Sequence, residues 1–207
     1  MLRGLDKNIN NFKQLSENLG ITVDQIFNKL IRYGRRSLEN ADRLTGDKER
    51  METMPMEQFS QLEIPVLAFQ ETDVYDIHRA RTTGERSFRN SGSRNDWVWV
   101  ALGTTNEYGA LRGKLPGKLQ GLFKVRDTGT DGKVYRLAIL QLLQKGAGRI
   151  TDTHGLVNVF ARRQTSKDDF WIVDIATVTS LAHLIPDGDG KWLVNSRIDL
   201  RTFNEVY

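Results

Sequence analysis

The sequence predicts an α+β protein: a helical N-terminal segment over 1–62, a strand and linker region over 63–96, and a small, mostly antiparallel β-barrel over 97–207. Three observations carry this expectation. Apolar residues recur at helical spacing through the first third. A region rich in Arg, Ser, Gly and Asn interrupts the apolar pattern at Arg81–Asp96. Beyond it, short apolar runs alternate with turn signals to the end of the chain.

In the first third, Leu5, Ile9, Phe12, Ser16 and Leu19 fall on one helical face, and Gly20 suits a C-terminal cap. Thr22-Val23-Asp24-Gln25 forms a capping box, in which Thr22 accepts from the Gln25 backbone N–H and the Gln25 side chain reaches back. Val23, Ile26, Phe27, Leu30 and Ile31 make the apolar stripe of a second helix, which Gly34 is expected to end. A weaker helical stretch runs from Ser37 to Leu44, and Thr45–Pro55 reads as a loop. Pro55 fits the first position of a short helix carrying Met56, Phe59 and Leu62.

Strand character begins near Glu63, with Ile64–Phe69 and Val74–His78, and Pro65 places the first of these at a sheet edge. The later strands are Trp97–Leu102, Leu119–Val125, Val134–Leu143, Leu156–Ala161, Phe170–Ile175 and Trp192–Val194. Between them fall Asp127–Gly132, Lys145–Gly148 and Asp187–Lys191, all rich in Gly with Asp or Lys.

Composition narrows the function classes. The chain has no cysteine, which excludes disulfides, thiolate nucleophiles and Cys-based zinc sites. It has no apolar run of the roughly 18 residues that cross a bilayer, and Met1–Lys7 lacks an apolar signal core, so neither membrane insertion nor secretion is expected. The net charge of +4 is unevenly spread: residues 101–150 hold nine Lys or Arg against three acids. Such a surplus is either a polyanion footprint or the solvated face of a barrel.

No arrangement of residues argues for catalysis. His78, His154 and His183 are far apart and show no ligand-pair spacing; His183, within Leu181–Pro186, is expected to be half-buried. Asp168-Asp169 and Asp187-Gly188-Asp189 lie in turns, where Asp serves local backbone hydrogen bonds, and the later carboxylates of an EF-hand loop are missing. Gly109–Gly113 is not followed by the Gly-Lys-Ser/Thr of a P-loop, and Gly146-Ala147-Gly148 lacks the third glycine of a dinucleotide site. The expectation is a non-enzymatic chain with no catalytic residue, metal or cofactor.

Two binding surfaces compete. The first is the basic segment, whose Arg112, Lys114, Lys118, Lys124, Arg126, Lys133 and Arg136 would contact phosphates, beside an aromatic platform of Trp97, Trp99 and Tyr135. Trp97 and Trp99 are two apart on a strand and so point to the same face, either as core or as an exposed platform. The second is the helix-Gly-helix outline within residues 14–36, which reads as a helix-turn-helix or as an ordinary αα-hairpin. In the former, Asp24, Gln25, Asn28 and Lys29 would face bases, with Arg32, Arg35 and Arg36 on phosphates; the acid at Asp24 opposes that role.

The chain also carries longer phrases. These are Arg94–Val100, Tyr108–Pro116, and His183-Leu184-Ile185-Pro186 followed by Trp192–Tyr207. Over about Ser87–Tyr207 they resemble the C-terminal region of transposon-encoded proteins of filamentous fungi, the Plavaka or KDZ transposases. In that family the catalytic acids lie upstream in an RNase H-like core, and no position here matches it. The resemblance therefore implies an accessory, non-catalytic module of a mobile-element protein, nuclear, engaging DNA or chromatin and other mobile-element proteins. The layout also resembles bromo-adjacent homology domains at the level of fold. The alternative is a protein-interaction or structural module that binds no nucleic acid.

Overall fold

The computed structural model describes residues 1–6, 9–37, 49, 52, 54–69, 72–83, 94–101, 113–126, 133–145, 156–161, 170–188 and 191–195. The elements run β1 (Leu2–Asp6), α1 (Phe12–Leu19), α2 (Val23–Ser37), β2 (Met56–Phe69), β3 (Thr72–Thr83), β4 (Arg94–Asn95), β5 (Trp97–Ala101), β6 (Lys114–Arg126), β7 (Val134–Lys145), β8 (Leu156–Ala161) and β9 (Trp171–Asp174). A 3-10 turn (Ile175–Thr177), β10 (Val178–Leu181), β11 (Leu184–Pro186) and β12 (Lys191–Asn195) follow.

The architecture corrects the expected one. The described residues form mostly an antiparallel sheet, with the helices α1 and α2 packed on it, and the sheet stays open instead of closing into a barrel. The central path is β11-β12-β8-β7-β6-β2-β3-β4; β1 joins β2, β5 joins β6 and β10, and β9 joins β7. The 3-10 turn leads from β9 into β10, and no ladder joins these two strands.

The segment over 1–62, expected to be built of helices and one loop, contains β1 and the start of β2. Met56, Phe59 and Leu62 do recur at threes, but Met56, Gln58, Leu62, Ile64 and Val66 are buried at twos, and the strand period prevails. Burying these even positions leaves Oε1 of Gln58 without a hydrogen-bond partner. β1 adds to the edge of β2 with Leu2 opposite Leu62 and Leu5 opposite Phe59. Gly4 (φ 66°) lies so close to β2 that a Cβ there would be 2.1 Å from Ser60 Oγ.

The helical pair forms as its caps dictate. Asn11 accepts from the Gln14 N–H at 2.9 Å and starts α1. Gly20 (φ 64°) ends it with N–H bonds from Gly20 to Glu17 O and from Ile21 to Ser16 O, the two bonds of a Schellman cap. The Thr22–Gln25 box is reciprocal, at 2.7 and 3.2 Å. α2 continues past Gly34 to Ser37.

β6 organises the core because it carries a β-bulge. Leu119 pairs with Leu140 and Gly121 with Ile139, which leaves Gln120 as an extra residue. The bulge inverts the facing of β6, so Leu119 and Leu122 share one face while Phe123 and Val125 take the other. On the first face, Leu119, Leu122, Ala138, Leu140, Val98, Val100 and Val178 make an inner core, with Leu62, Ile64 and Val66 packed against them. On the second, Phe123, Val125, Leu137 and Ile139 receive Phe12, Leu15, Ile26 and Leu30 of the helices. Farther along that face, Trp99, Leu143, Val157, Val159 and Val194 form a third cluster under β8 and β12.

Several expected features fall on residues outside those described: most of Ser37–Leu44, the turns Asp127–Gly132 and Gly146–Gly148, His154, Asp168-Asp169, Asp189 and the tail from Ser196. Among the described residues, no helix is long and apolar enough to cross a membrane.

Candidate polyanion-binding face

The bulge at Gln120 divides the basic residues expected to act together. Before it, Lys118 stands opposite Trp97 and Gln141, and Lys114 opposite Ala101, on the face that holds Trp99 and Leu143. Both lysines are half-buried. After it, Lys124 and Arg126 lie on the opposite face. Arg112 is outside the described residues.

Lys124 sits in a three-strand row, between Glu57 on β2 and Arg136 on β7. Its Nζ reaches both carboxylate oxygens of Glu57, at 2.9 and 3.1 Å. Like charges directly opposite on neighbouring strands are unfavourable, and Glu57 offsets the repulsion between Lys124 and Arg136. Arg126, opposite Val134, is exposed at the hairpin end, as is Arg136. Lys133, also exposed, places its Nζ 5.3 Å from the centre of the Tyr135 ring. Among the described residues, no carboxylate forms an ion pair with Arg126, Lys133 or Arg136.

An open recess of about 540 Å³ adjoins this face, and Arg136 is on its rim. Glu63 and Asp174 also line it, so its own charge is mixed and does not extend the basic surface. The hydrogen bond from Arg3 Nε (3.0 Å) holds the Glu63 carboxyl below the usual carboxylate range, assisted by the charge of Arg79 at 3.7 Å.

The aromatic residues do not assemble as a platform of Trp97, Trp99 and Tyr135. Tyr135 is buried with the helices on the far side of the bulge, in a different cluster from the indoles. Trp99 is only 5% exposed and is core. Trp97 is half-buried and pairs instead with Trp192, ring centres 5.4 Å apart and planes tilted by 55°. Trp192 arrives from β12, which pairs with β8, and nothing local in the sequence announces that meeting. Glu57 was missed for the same reason, since its tie to Lys124 depends on the β2–β6 register.

The helix-Gly-helix segment is seated on the sheet. Ile26 and Leu30 of α2 are buried against it, and Lys29 Nζ lies 5.2 Å from the centre of the Phe170 ring. Asp24 and Asn28 are exposed; the side chains of Arg32, Arg35 and Arg36 are outside those described. His78 is half-buried on β3 with its Nδ1 enclosed, and His183 is exposed, unlike the half-buried residue expected. Among the described residues, no three His, Asp or Glu side chains gather in a way that could hold a metal.

No family model, curated protein or solved structure matches this chain.

Proposed function

We propose that this chain is a non-catalytic binding module that engages a polyanion, DNA or chromatin, through the end of the β6–β7 hairpin. One observation carries the reading: Arg126, Lys133 and Arg136 are exposed at that end, and no described carboxylate forms an ion pair with them. Lys124 is tied to Glu57 and contributes less, because a phosphate must compete with an existing ion pair. Its likeness to an accessory region of mobile-element proteins rests on the phrases His183–Pro186 and Trp192–Tyr207, and a nuclear location follows only from the partner.

Fluorescence anisotropy of a labelled, non-specific duplex across a salt series tests this. Removing one phosphate-binding cation flattens the slope of log K against log[salt] by about 0.9. The triple change Arg126→Ala, Lys133→Ala and Arg136→Ala should therefore reduce the slope by roughly 2.7. Lys114→Ala with Lys118→Ala, toward the opposite end of β6, should leave it unchanged. Absence of binding at low salt sinks the proposal in favour of a protein-interaction module. An equal effect of the two variant sets would sink the assignment to the hairpin end.

A further inference from the structure

We propose that the outer edge of β3 is a homodimer seam, at which residues 75–79 of two copies pair antiparallel about a two-fold axis at Ile77.

β3 pairs with β2 along one edge, and on the other β4 takes only Thr82 and Thr83. From Thr72 to Ala80 no described strand occupies that outer edge. Backbone phase shows which groups it presents. Arg81 receives the Asp96 N–H at its carbonyl (2.9 Å) and donates its own N–H to Asp96 Oδ2 (2.8 Å), both on the outer side. Alternation along a strand therefore points the N–H and C=O groups of Arg79, Ile77 and Tyr75 outward as well. An unpaired row of donors and acceptors is a template for another strand. The outer edge of β2 differs: Glu63 donates to Met1 O on that side, so two residues on, Pro65 has no N–H to offer there.

Two large side chains beside this edge, Tyr75 and Ile77, stand in water. Tyr75 is 57% and Ile77 58% exposed, and exposed Pro65 stands opposite Ile77 on the same outward surface. The partner that fits is a second copy, because the strand is complementary to itself. Pairing about Ile77 sets Ile77 against its equivalent, Tyr75 against Arg79 of the other copy, and Asp76 against His78. Each alignment joins groups that attract: apolar to apolar, cation to aromatic ring, acid to imidazole. Pairing about Asp76 would set two carboxylates face to face. Pairing about His78 would require the Arg81 backbone groups that Asp96 already holds.

The absence of cysteine makes the register directly readable. In the proposed pairing the two Ile77 Cα atoms are about 5.5 Å apart, inside the range a disulfide spans. Residues 75 of the two copies are offset by four positions, on the order of 13 Å. Ile77→Cys should thus form a disulfide-linked dimer on mild oxidation, whereas Tyr75→Cys and Arg79→Cys alone should not. Mixing those two variants should link one to the other. In sedimentation, the unmodified chain should rise from 23.6 kDa toward twice that mass with concentration. Ile77→Lys should weaken the dimer roughly tenfold or more by opposing two ammonium groups. A chain that stays at monomer mass throughout, with Ile77→Cys linking no faster than Tyr75→Cys, overturns the proposal. So does a cross-linking maximum at position 75 or 79.

Discussion

Replacing Phe123 by Ala tests whether the helical pair is clamped onto the sheet on the face the bulge creates. Phe123 is fully buried, and its ring meets that of Phe12 on α1 edge to face, centres 5.8 Å apart and planes at 81°. Deleting such a ring costs about 3–5 kcal/mol through lost transfer energy and the cavity left behind. Phe123 stands opposite Leu137 and shares a buried cluster with Val125, Ile139 and residues of both helices, so the site has little freedom to collapse, and the upper half of that range is expected. Phe12→Ala empties the same volume from the helical side and should cost a similar amount. The two losses overlap: the double variant should be less destabilised than the sum by about 0.5–1.5 kcal/mol for the aromatic pair, and more where the cavities merge.

Leu122→Ala is the control. Leu122 is next in sequence but belongs to the inner core with Leu119, Ala138 and Leu140. It should cost about 2–5 kcal/mol and add to Phe12→Ala within about 0.5 kcal/mol. Urea unfolding, followed by the fluorescence of the four tryptophans, gives all these values, provided the transitions are two-state. Additivity of Phe12 with Phe123, or strong coupling of Phe12 with Leu122, would refute the assignment of faces. Against total stabilities of about 5–15 kcal/mol for folded domains, the Phe12/Phe123 double variant approaches the limit of folding.

Two further outcomes are expected. The Glu63 carboxyl titrates below its ordinary value because Arg3 donates to it, so its contribution is fully present above pH 4.5 and is lost as pH falls through the folded-state value. Stability curves of the parent and Glu63→Gln should therefore separate above that pH and converge in acid, with the gap shrinking in salt; parallel curves throughout would exclude the linkage. Gly4 and Gly20 share positive φ, near 66° and 64°, but a Cβ at Gly4 meets Ser60 Oγ whereas one at Gly20 meets nothing within 4 Å. Gly20→Ala should cost only the left-handed strain of about 1–2 kcal/mol, and Gly4→Ala distinctly more, both read by thermal unfolding.

Local signals in the sequence proved reliable where the interactions are themselves local. The Thr22–Gln25 box and the Gly20 cap are written within a few residues and appear as read. The strands at Trp97, Val134, Leu156 and Lys191 likewise follow the short apolar runs between turn signals. The reading failed where partners are distant. Residues 56–62 satisfy both a helical and a strand pattern, and it is β6, more than sixty positions away, that selects the strand. That the sheet stays open was equally invisible, since strand pairing is set by long-range register and not by the number of strands.

The division of the basic segment has the same origin. Counted along the chain, Lys118 and Lys124 are six apart, which on an uninterrupted strand would put them on one face. A single additional residue, Gln120, reverses that relation, and its signature is not compositional. What permits the bulge is far away: the Gln120 carbonyl accepts the hydroxyl of Thr82 at 2.8 Å, and Thr82 is itself buried on β3. An orphaned carbonyl in that position would be costly, so the β3 hydroxyl and the β6 bulge sustain each other. The same bulge lets one strand serve two cores, and it turns Lys124 and Arg126 to the opposite side of the sheet from Lys118. Charge counted in a window reports how many cations are available, while the register decides which of them a single phosphate backbone can touch.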